Sequence, residues 1–308
     1  MCMECEPLLK AINAYLRKVD DDEGDDSDPI NEIEDSVTDA LLRETRYFIR
    51  EIRKKKTISE VLDILEDIRE RDVYLNQIRV VVAEQLHKIV PPLVQQYVHV
   101  VDTEIKITAL SKRTYNWIDN WSADLAALMK ETSIKQLEDI LKRGLDVGSD
   151  ISSVTVELMQ SGIRNEYYRA RRVAVTEILR AHNVAKQEAD MQNPCVKEKM
   201  WRHTGAHKNE PRPNHIDMDG QRVPVDQPYT LIGADGVTYH PMFPTDPELP
   251  PGESINCHCI SQSIVDEDIL AMPLEERQRL QQEIIDSMDD DWEKELDERN
   301  RAKAGIEA

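Results

Sequence analysis

The sequence predicts an α+β protein in which an elongated, mostly helical N-terminal region leads into a compact, loop-rich α+β module and a helical C-terminal tail. Charged residues make up 32% of the chain and aromatic residues only 5%, a composition typical of helices rather than of large β-sandwiches or barrels. Most of the prolines and histidines lie between residues 199 and 260, together with short β-prone segments. These observations predict three parts, residues 1–150, 151–262 and 263–308.

The N-terminal region begins with a predicted amphipathic helix over Pro7–Val19, and an acidic segment follows at residues 20–28. Like charges at this density repel one another, so we expect a solvated linker there. From Pro29 to Ile52, apolar residues recur at spacings of three and four before a basic block. Because cations favour the C-terminal end of a helix dipole, this pattern predicts one long helix.

Local signals predict where the next helices begin or break. Thr57 followed by Glu60 matches the capping box, in which side chains satisfy the free amides at a helix N-terminus. Ser133 followed by Gln136 repeats the pattern. The prolines at positions 91 and 92 lack amide donors, so we expect them to kink or restart the helix that contains them.

The second half of the chain changes character at the loop-rich module. A helix without Gly or Pro is predicted over residues 165–192, ahead of the module. The β-prone segments within the module are residues 200–204, 222–225 and 237–240. After Ile260 the pattern returns to helix, with Pro273 in a first-turn position before residues 274–285. The tail beyond is acidic, and we expect it to be polar and exposed.

Charge and cysteine content limit the classes of function. The formal net charge is -21, so the field of the whole chain repels phosphate backbones and anionic lipid, and DNA binding is expected to be weak. The basic segments that oppose this trend are residues 53–56 and 164–172. No stretch has the apolar length of a bilayer span, and the N-terminus lacks a secretory pattern. The five cysteines fit a reduced compartment, and we assign no site to the terminal pair Cys2 and Cys5.

Two cysteines of the loop-rich module form the sharpest local feature. Residues at i and i+2 on an extended segment point to the same side, so the thiols of Cys257 and Cys259 can reach one ion. Imidazoles are offered upstream by His203, His207, His215 and His240. Since a single Cys-x-Cys pair is a weak metal signal, the sequence favours buried thiols without a metal, and a structural zinc site is the alternative. In that zinc site the ligands are His215, Cys257 and Cys259. The candidates for its fourth ligand are His258, His240 and His207.

Polar residues at spacings of three and four along the helix over 165–192 share one face. This face either hydrogen-bonds into a neighbouring module or is solvated. Its residues are Arg172, Thr176, Glu177, Arg180 and Asn183. Further along, the guanidinium of Arg212 can bind a carboxylate through two hydrogen bonds, and we expect the indole of Trp201 to pack in the core.

Several separated motifs stand in a defined order over roughly residues 150 to 262. Their positions are Arg172, Thr176, Glu177, Ala181, His182, Asn183, Trp201, Arg212, His215, Asp219, Gly220, Pro244, Asp246, Pro247, Asn256, Cys257 and Cys259. In this order the motifs resemble the phage Mu F-like head morphogenesis family. The resemblance implies a minor capsid protein present in few copies, recruited to the procapsid near the portal and associated with DNA packaging, retention or delivery.

From this resemblance we expect a head protein and not an enzyme. The expected partners are the portal and other capsid or scaffolding proteins, with weak DNA contact and no membrane. The expected location is the interior of the virion head, and the host cytoplasm during assembly. The alternative is a metal-dependent hydrolase, a nuclease or peptidase carried in the virion, which would need an open metal position beside Asp217, Asp219 or Glu177. The sequence contains no His-Glu-x-x-His pair, nucleophile elbow or phosphate loop, so we assign no catalytic residue.

Overall fold

The computed structural model describes residues 29–74, 76–160, 166–204 and 211–304. The predicted helix over Pro7–Val19, the acidic segment at 20–28 and His207 lie outside the described residues. The described residues are mostly helical with small antiparallel sheets, which confirms the predicted α+β, mostly helical class.

Long helices dominate the first part of the described chain, and strands and short helices follow. The helices are α1 Pro29–Ile52, α2 Ile58–Leu62, α3 Leu65–Arg71, α4 Asn76–Val101, α5 Lys112–Asp146, α6 Ile151–Gln160, α7 Glu166–Met191, α8 Pro213–Asp217, α9 Pro251–Ser254, α10 Glu267–Leu270 and α11 Leu274–Ala304. The strands are β1 Val196–Arg202, β2 Arg222–Pro224, β3 Leu231–Ile232, β4 Thr238–Tyr239 and β5 Ile260–Val265. Over the described ranges, no helix has an apolar stretch long enough to cross a bilayer.

The chain folds into two compact units, each assembled from segments that are distant in sequence. Among the described residues, the helical unit comprises 29–86 and 118–175, and the mixed unit comprises 87–117 and 176–304. The division of the chain into residues 1–150, 151–262 and 263–308 stays a prediction.

The helical unit is built on an apolar core shared by α1, α2, α3, α5 and α6. Its buried residues include Phe48, Ile52, Val61, Leu137 and Leu158. The predicted helix over Pro29–Ile52 is confirmed as α1. The predicted cap at the start of α2 is confirmed as well, because the hydroxyl of Thr57 accepts a hydrogen bond from the amide of Glu60 at 3.3 Å.

The second predicted capping box is wrong. Ser133 lies inside α5, and no helix begins there. Its side chain is fully buried, and its hydroxyl accepts a hydrogen bond from Nη2 of Arg169 at 3.0 Å. A Ser-x-x-Gln pattern marks a helix start only where the serine hydroxyl accepts a hydrogen bond from a free backbone amide. Here the hydroxyl accepts a hydrogen bond from Arg169, a residue distant in sequence, instead.

A fully buried carboxyl group lies in the helical unit at Glu44 of α1. Burial is the main reason that the pKa of this carboxyl rises to about 9, and the charge of Asp72 raises it further. A hydrogen bond with Ser133 and the charge of Arg169 oppose the rise. At neutral pH the folded chain therefore holds Glu44 protonated, whereas the unfolded chain ionises near the ordinary value.

This difference predicts a stability that falls with rising pH. The contribution is fully present below the unfolded pKa of 4.5 and is lost as the pH rises through the folded pKa of about 9, because folding must take up a proton. We expect Glu44→Gln to flatten the dependence and to increase the free energy of unfolding at alkaline pH by about 1–3 kcal/mol. Urea unfolding across this range measures the effect. The matched control is Glu84→Gln at an exposed position of the same unit. An unchanged pH dependence in Glu44→Gln would contradict the prediction.

Helix α4 does not restart at its two prolines. It runs from Asn76 to Val101 through positions 91 and 92. Both proline rings are exposed, while the neighbouring Val90 and Val94 are buried in the mixed unit. Burial of the opposite helix face offsets the loss of the two amide donors. The carbonyl groups that these amides would have bound remain near solvent.

Helix α7 confirms the helix predicted over residues 165–192, and its later part is the central element of the mixed unit. Every residue from 176 to 190 is buried, although many are polar or charged. Glu188 accepts hydrogen bonds from the amide and the hydroxyl of Ser111, at 2.5 and 2.7 Å. Gln187 accepts one from Nζ of Lys199 at 3.0 Å. The second of these contacts connects α7 to β1, at whose end the candidate site lies.

A three-stranded antiparallel sheet of order β2-β1-β5 and a separate β3-β4 hairpin complete the mixed unit. The predicted β-prone segments correspond to β1, β2 and β4. The expectation that the chain returns to helix directly after Ile260 is wrong, because β5 pairs with β1 and the next helix begins at Glu267. In this register Trp201 lies opposite Ser261, and Arg202 lies opposite Ile260.

Candidate metal centre

Two thiols and one imidazole lie together at the end of the three-stranded sheet. The ligand atoms of His215, Cys257 and Cys259 all lie within 4.8 Å of one another. Nδ1 of His215 is 3.4 Å from Sγ of Cys257 and 3.7 Å from Sγ of Cys259. The three residues are only 2%, 2% and 3% exposed, respectively. This group has the atoms and the proximity to hold a metal ion.

Short local structures bring the three side chains together. Pro213 occupies the first turn of α8, where its fixed φ suits a helix start, and this short helix presents His215. After α9, Asn256 adopts a positive φ of 54°, a conformation that Asn tolerates better than most residues. The chain then leads through Cys257 and Cys259 into β5. The two-residue spacing of these cysteines leaves both thiols beside the His215 ring.

The other nitrogen of His215 is held by a buried carboxylate. Nε2 of His215 and Oε2 of Glu253 are 2.8 Å apart. Glu253 also accepts hydrogen bonds from the amide of Ala234 at 2.8 Å and from Nδ2 of Asn214 at 3.1 Å. Burial raises the pKa of Glu253, but these donors lower it more strongly, so the group is a carboxylate. A carboxylate of this kind fixes the ring so that Nδ1 faces the two sulfurs, as it does for metal-bound histidines.

The side chain of Trp201 packs against the group of His215, Cys257 and Cys259. Its side chain is fully buried and contacts His215 edge to face, with ring centroids 5.7 Å apart. Its indole Nε1 makes no hydrogen bond within the described part of the chain. The indole N–H favours the thiolate of Cys259 and opposes the rise in the pKa of that thiol. Such a donor stabilises a thiolate, which is the form of cysteine that binds a metal.

The two thiols differ in their electrostatics. A hydrogen bond from Cys259 lowers the pKa of the Cys257 thiol well below its ordinary value despite burial, and His215 lowers it further. Donation of that hydrogen bond raises the pKa of Cys259, and burial adds to the rise. The pair therefore accepts one negative charge readily. Loss of the second proton requires an added positive charge, which a divalent cation supplies.

Two of the histidines predicted as the fourth ligand, His240 and His258, lie within the described residues. His240 is exposed, and His258 is partly buried but lies outside the group of three. His203 was not among the predicted fourth ligands, yet its Nδ1 is 3.7 Å from Sγ of Cys259. The signal for this contact is the pairing of β1 with β5, and helix was predicted where β5 lies.

The motif residues of α7 form a second cluster, built around a strained turn. Glu177 and Arg180 make a buried ion pair, and Nε of Arg180 donates to the carbonyl of Thr245 at 2.8 Å. Nδ2 of Asn183 donates to the hydroxyl of the same threonine at 3.1 Å. Thr245 has a positive φ of 70°, which costs free energy in a β-branched residue. Thr176 is also buried, whereas Arg172 is exposed. Most of this helix face is thus packed inside the mixed unit.

Three further motif residues, Arg212, Asp219 and Gly220, lie on the connection between β1 and β2. Gly220 has a φ of 88°, and its amide donates to the carbonyl of Trp201 at 2.9 Å. Asp219 accepts a hydrogen bond from the amide of His203 at 2.9 Å. Arg212 was expected to bind a carboxylate, but its Nη2 donates to the carbonyl of Ile255 at 2.7 Å. The guanidinium of Arg212 therefore binds a main-chain carbonyl in the turn before Cys257 and holds that turn in place.

The mixed unit is an α+β module assembled on a buried polar helix, with a group of one histidine and two cysteines at the end of its sheet. The chain matches the family described as phage Mu protein F like protein over residues 135–262. It is also 30% identical over 305 residues to the uncharacterized protein YqbB of Bacillus subtilis (strain 168), covering 92% of this chain and 99% of that protein. No solved structure gives a significant match. The chain belongs to the phage Mu F-like family, which confirms the resemblance predicted from its motifs.

Proposed function

We propose that this chain is a minor head protein that takes part in procapsid assembly at the portal and contributes to DNA packaging or delivery. The observation that carries this proposal is the family match over residues 135–262, which covers the loop-rich module. The protein is made in the host cytoplasm and is built into the interior of the virion head. Its partners are the portal and other capsid or scaffolding proteins.

We propose further that His215, Cys257 and Cys259 bind zinc. Thiolate and imidazole ligands suit zinc, and sites of this type stabilise folds that have little apolar core. The apolar core around the group consists of only seven buried residues, and two of them are the cysteines themselves. The metal would join α8 to the segment before β5.

Burial favours a structural role for this metal over a hydrolytic one. A catalytic zinc keeps an exchangeable water that a substrate can reach, but the three ligands are 2–3% exposed. Of the carboxylates considered for catalysis, Glu177 is paired with Arg180, and Asp219 holds the amide of His203. These contacts support a head protein without an enzymatic step.

The basic segments support weak DNA contact at most. Nη1 of Arg171 is 2.6 Å from the carboxylate of Glu34, and Arg169 binds Ser133. Nζ of Lys54 is 2.6 Å from the carboxylate of Glu51. Cations already paired within the helical unit gain less from binding phosphates, because the existing pair must be given up. We therefore assign the main contacts of this protein to protein partners.

Co-purification with the portal tests the proposal. When the chain is expressed together with the portal protein of its own phage, we expect both to sediment together after nuclease treatment and at about 0.5 M salt, where phosphate contacts are weakened. The matched control is Arg53→Gln with Lys56→Gln, two exposed positions. This variant should weaken residual DNA binding and leave portal capture unchanged. Sedimentation of the chain apart from the portal, or capture that depends on DNA, would overturn the proposal.

A further inference from the structure

We infer that His203 is the fourth ligand of this centre, so that His203, His215, Cys257 and Cys259 form a closed site with two sulfurs and two nitrogens. This inference rests on the zinc proposal above. The observation behind it is the contact between Nδ1 of His203 and Sγ of Cys259 at 3.7 Å. With His203 as a ligand, the metal would join three chain segments. These are α8, the segment before β5 and the end of β1.

The strand register explains why His203 reaches the centre. In the antiparallel pairing of β1 with β5, Trp201 lies opposite Ser261 and Arg202 lies opposite Ile260. Continuing this register by one residue places His203 opposite Cys259. Directly opposed residues on antiparallel strands share a face of the sheet. The hydroxyl of Thr204 donates to the carbonyl of His258 at 3.0 Å, so the two segments stay close beyond the end of β1.

One further contact holds His203 in this place. The carboxylate of Asp219 accepts a hydrogen bond from the His203 backbone amide at 2.9 Å, which fixes the main chain just after β1. Two residues earlier, Trp201 points to the same side, and its ring contacts the ring of His215 with centroids 5.7 Å apart. The indole and the imidazole of His203 thus approach the same group from alternate positions of one chain segment.

His203 completes the site by a movement of its own side chain. The group of three lies within 4.8 Å, and His203 contacts that group through Cys259. Its imidazole is only partly buried, so rotation about its side-chain torsions meets less resistance than it would in the core. A fourth protein ligand leaves no position for an exchangeable water, which makes the centre structural.

Cobalt substitution combined with zinc competition tests the inference on the full-length protein. We expect wild type to bind one zinc and to give the intense visible absorption of tetrahedral cobalt. His203→Ala should weaken zinc binding by at least about tenfold, since loss of even an outer-sphere partner costs roughly 10- to 100-fold. His203→Cys should keep the zinc and add a third sulfur-to-cobalt charge-transfer contribution. A residue with a merely structural role would not produce that new band.

His258→Ala and His240→Ala are the matched controls, because both remove an imidazole from the same module. Both are expected to match wild type in zinc affinity and in the cobalt spectrum. Wild-type affinity in His203→Ala, or no added charge transfer in His203→Cys, would overturn the assignment of His203 while leaving the three-ligand site intact. No stoichiometric zinc in wild type would instead overturn the zinc proposal itself. Portal capture is measured separately and does not depend on either result.

Discussion

The double variant Cys257→Ser, Cys259→Ser is expected to lose the zinc proposed above and, with it, the folded structure around the end of the three-stranded sheet. Structural zinc contributes about 10–16 kcal/mol of apparent binding free energy in small zinc-dependent folds. The apolar core around this group is small, and the cysteines are part of it. We therefore expect the free energy of unfolding of the mixed unit to fall by more than about 4 kcal/mol.

Hydrogen exchange with residue resolution measures this loss. The amides of β1 and β5 should exchange faster in the double variant and in wild type treated with a chelator, while those of α1 in the helical unit should change little. Cys195→Ser is the matched control, because Cys195 is another fully buried free thiol of the mixed unit. Protection in the double variant equal to that in Cys195→Ser would contradict the prediction and favour buried thiols without a metal.

Glu177→Ala is expected to destabilise the mixed unit by about 3–5 kcal/mol, the usual cost of removing one partner of a buried ion pair. Glu177 and Arg180 are each only 1% exposed. Without the carboxylate, the guanidinium stays buried and loses its ion-pair partner Glu177, although it still donates to the carbonyl of Thr245. The strained turn at Thr245 would then be held less firmly, since Arg180 and Asn183 both bind that residue. Urea unfolding followed by circular dichroism gives the change in free energy.

The control for this prediction removes both charges together. Glu177→Leu combined with Arg180→Met should destabilise the protein less than Glu177→Ala does, because no isolated charge is left in the interior. The corresponding double-mutant cycle gives the coupling between the two side chains. A cost below about 1 kcal/mol for Glu177→Ala would show that solvent reaches the pair.

Local sequence patterns were reliable wherever the deciding contact lies close along the chain. The spacing of apolar residues by three and four over the 24 residues from Pro29 to Ile52 predicted α1. The capping box at Thr57 predicted the N-terminal cap of α2. The same kind of signal failed at Ser133, where the hydroxyl binds Arg169, 36 residues away. The prolines at 91 and 92 also did not interrupt α4, since burial of the opposite face holds that helix together.

The candidate site shows the same division. Spacing alone indicated that Cys257 and Cys259 face one side, because that depends on two-residue alternation along an extended segment. The motif order indicated His215 as their partner. The role inferred for His203 could not be predicted in this way, because its contact with Cys259 spans 56 residues and depends on the register of β1 against β5.

The sequence by itself therefore determined the mostly helical α+β class and the family, since these follow from local periodicity and ordered motifs, and it also named the three residues of the candidate metal group. The tertiary structure decided which polar residues of α7 are buried, that β5 is a strand, and which histidine approaches the cysteines. The physical reason is that hydrogen bonds and strand pairing between distant segments depend on which groups come together in the folded chain. A local sequence pattern does not identify those distant partners.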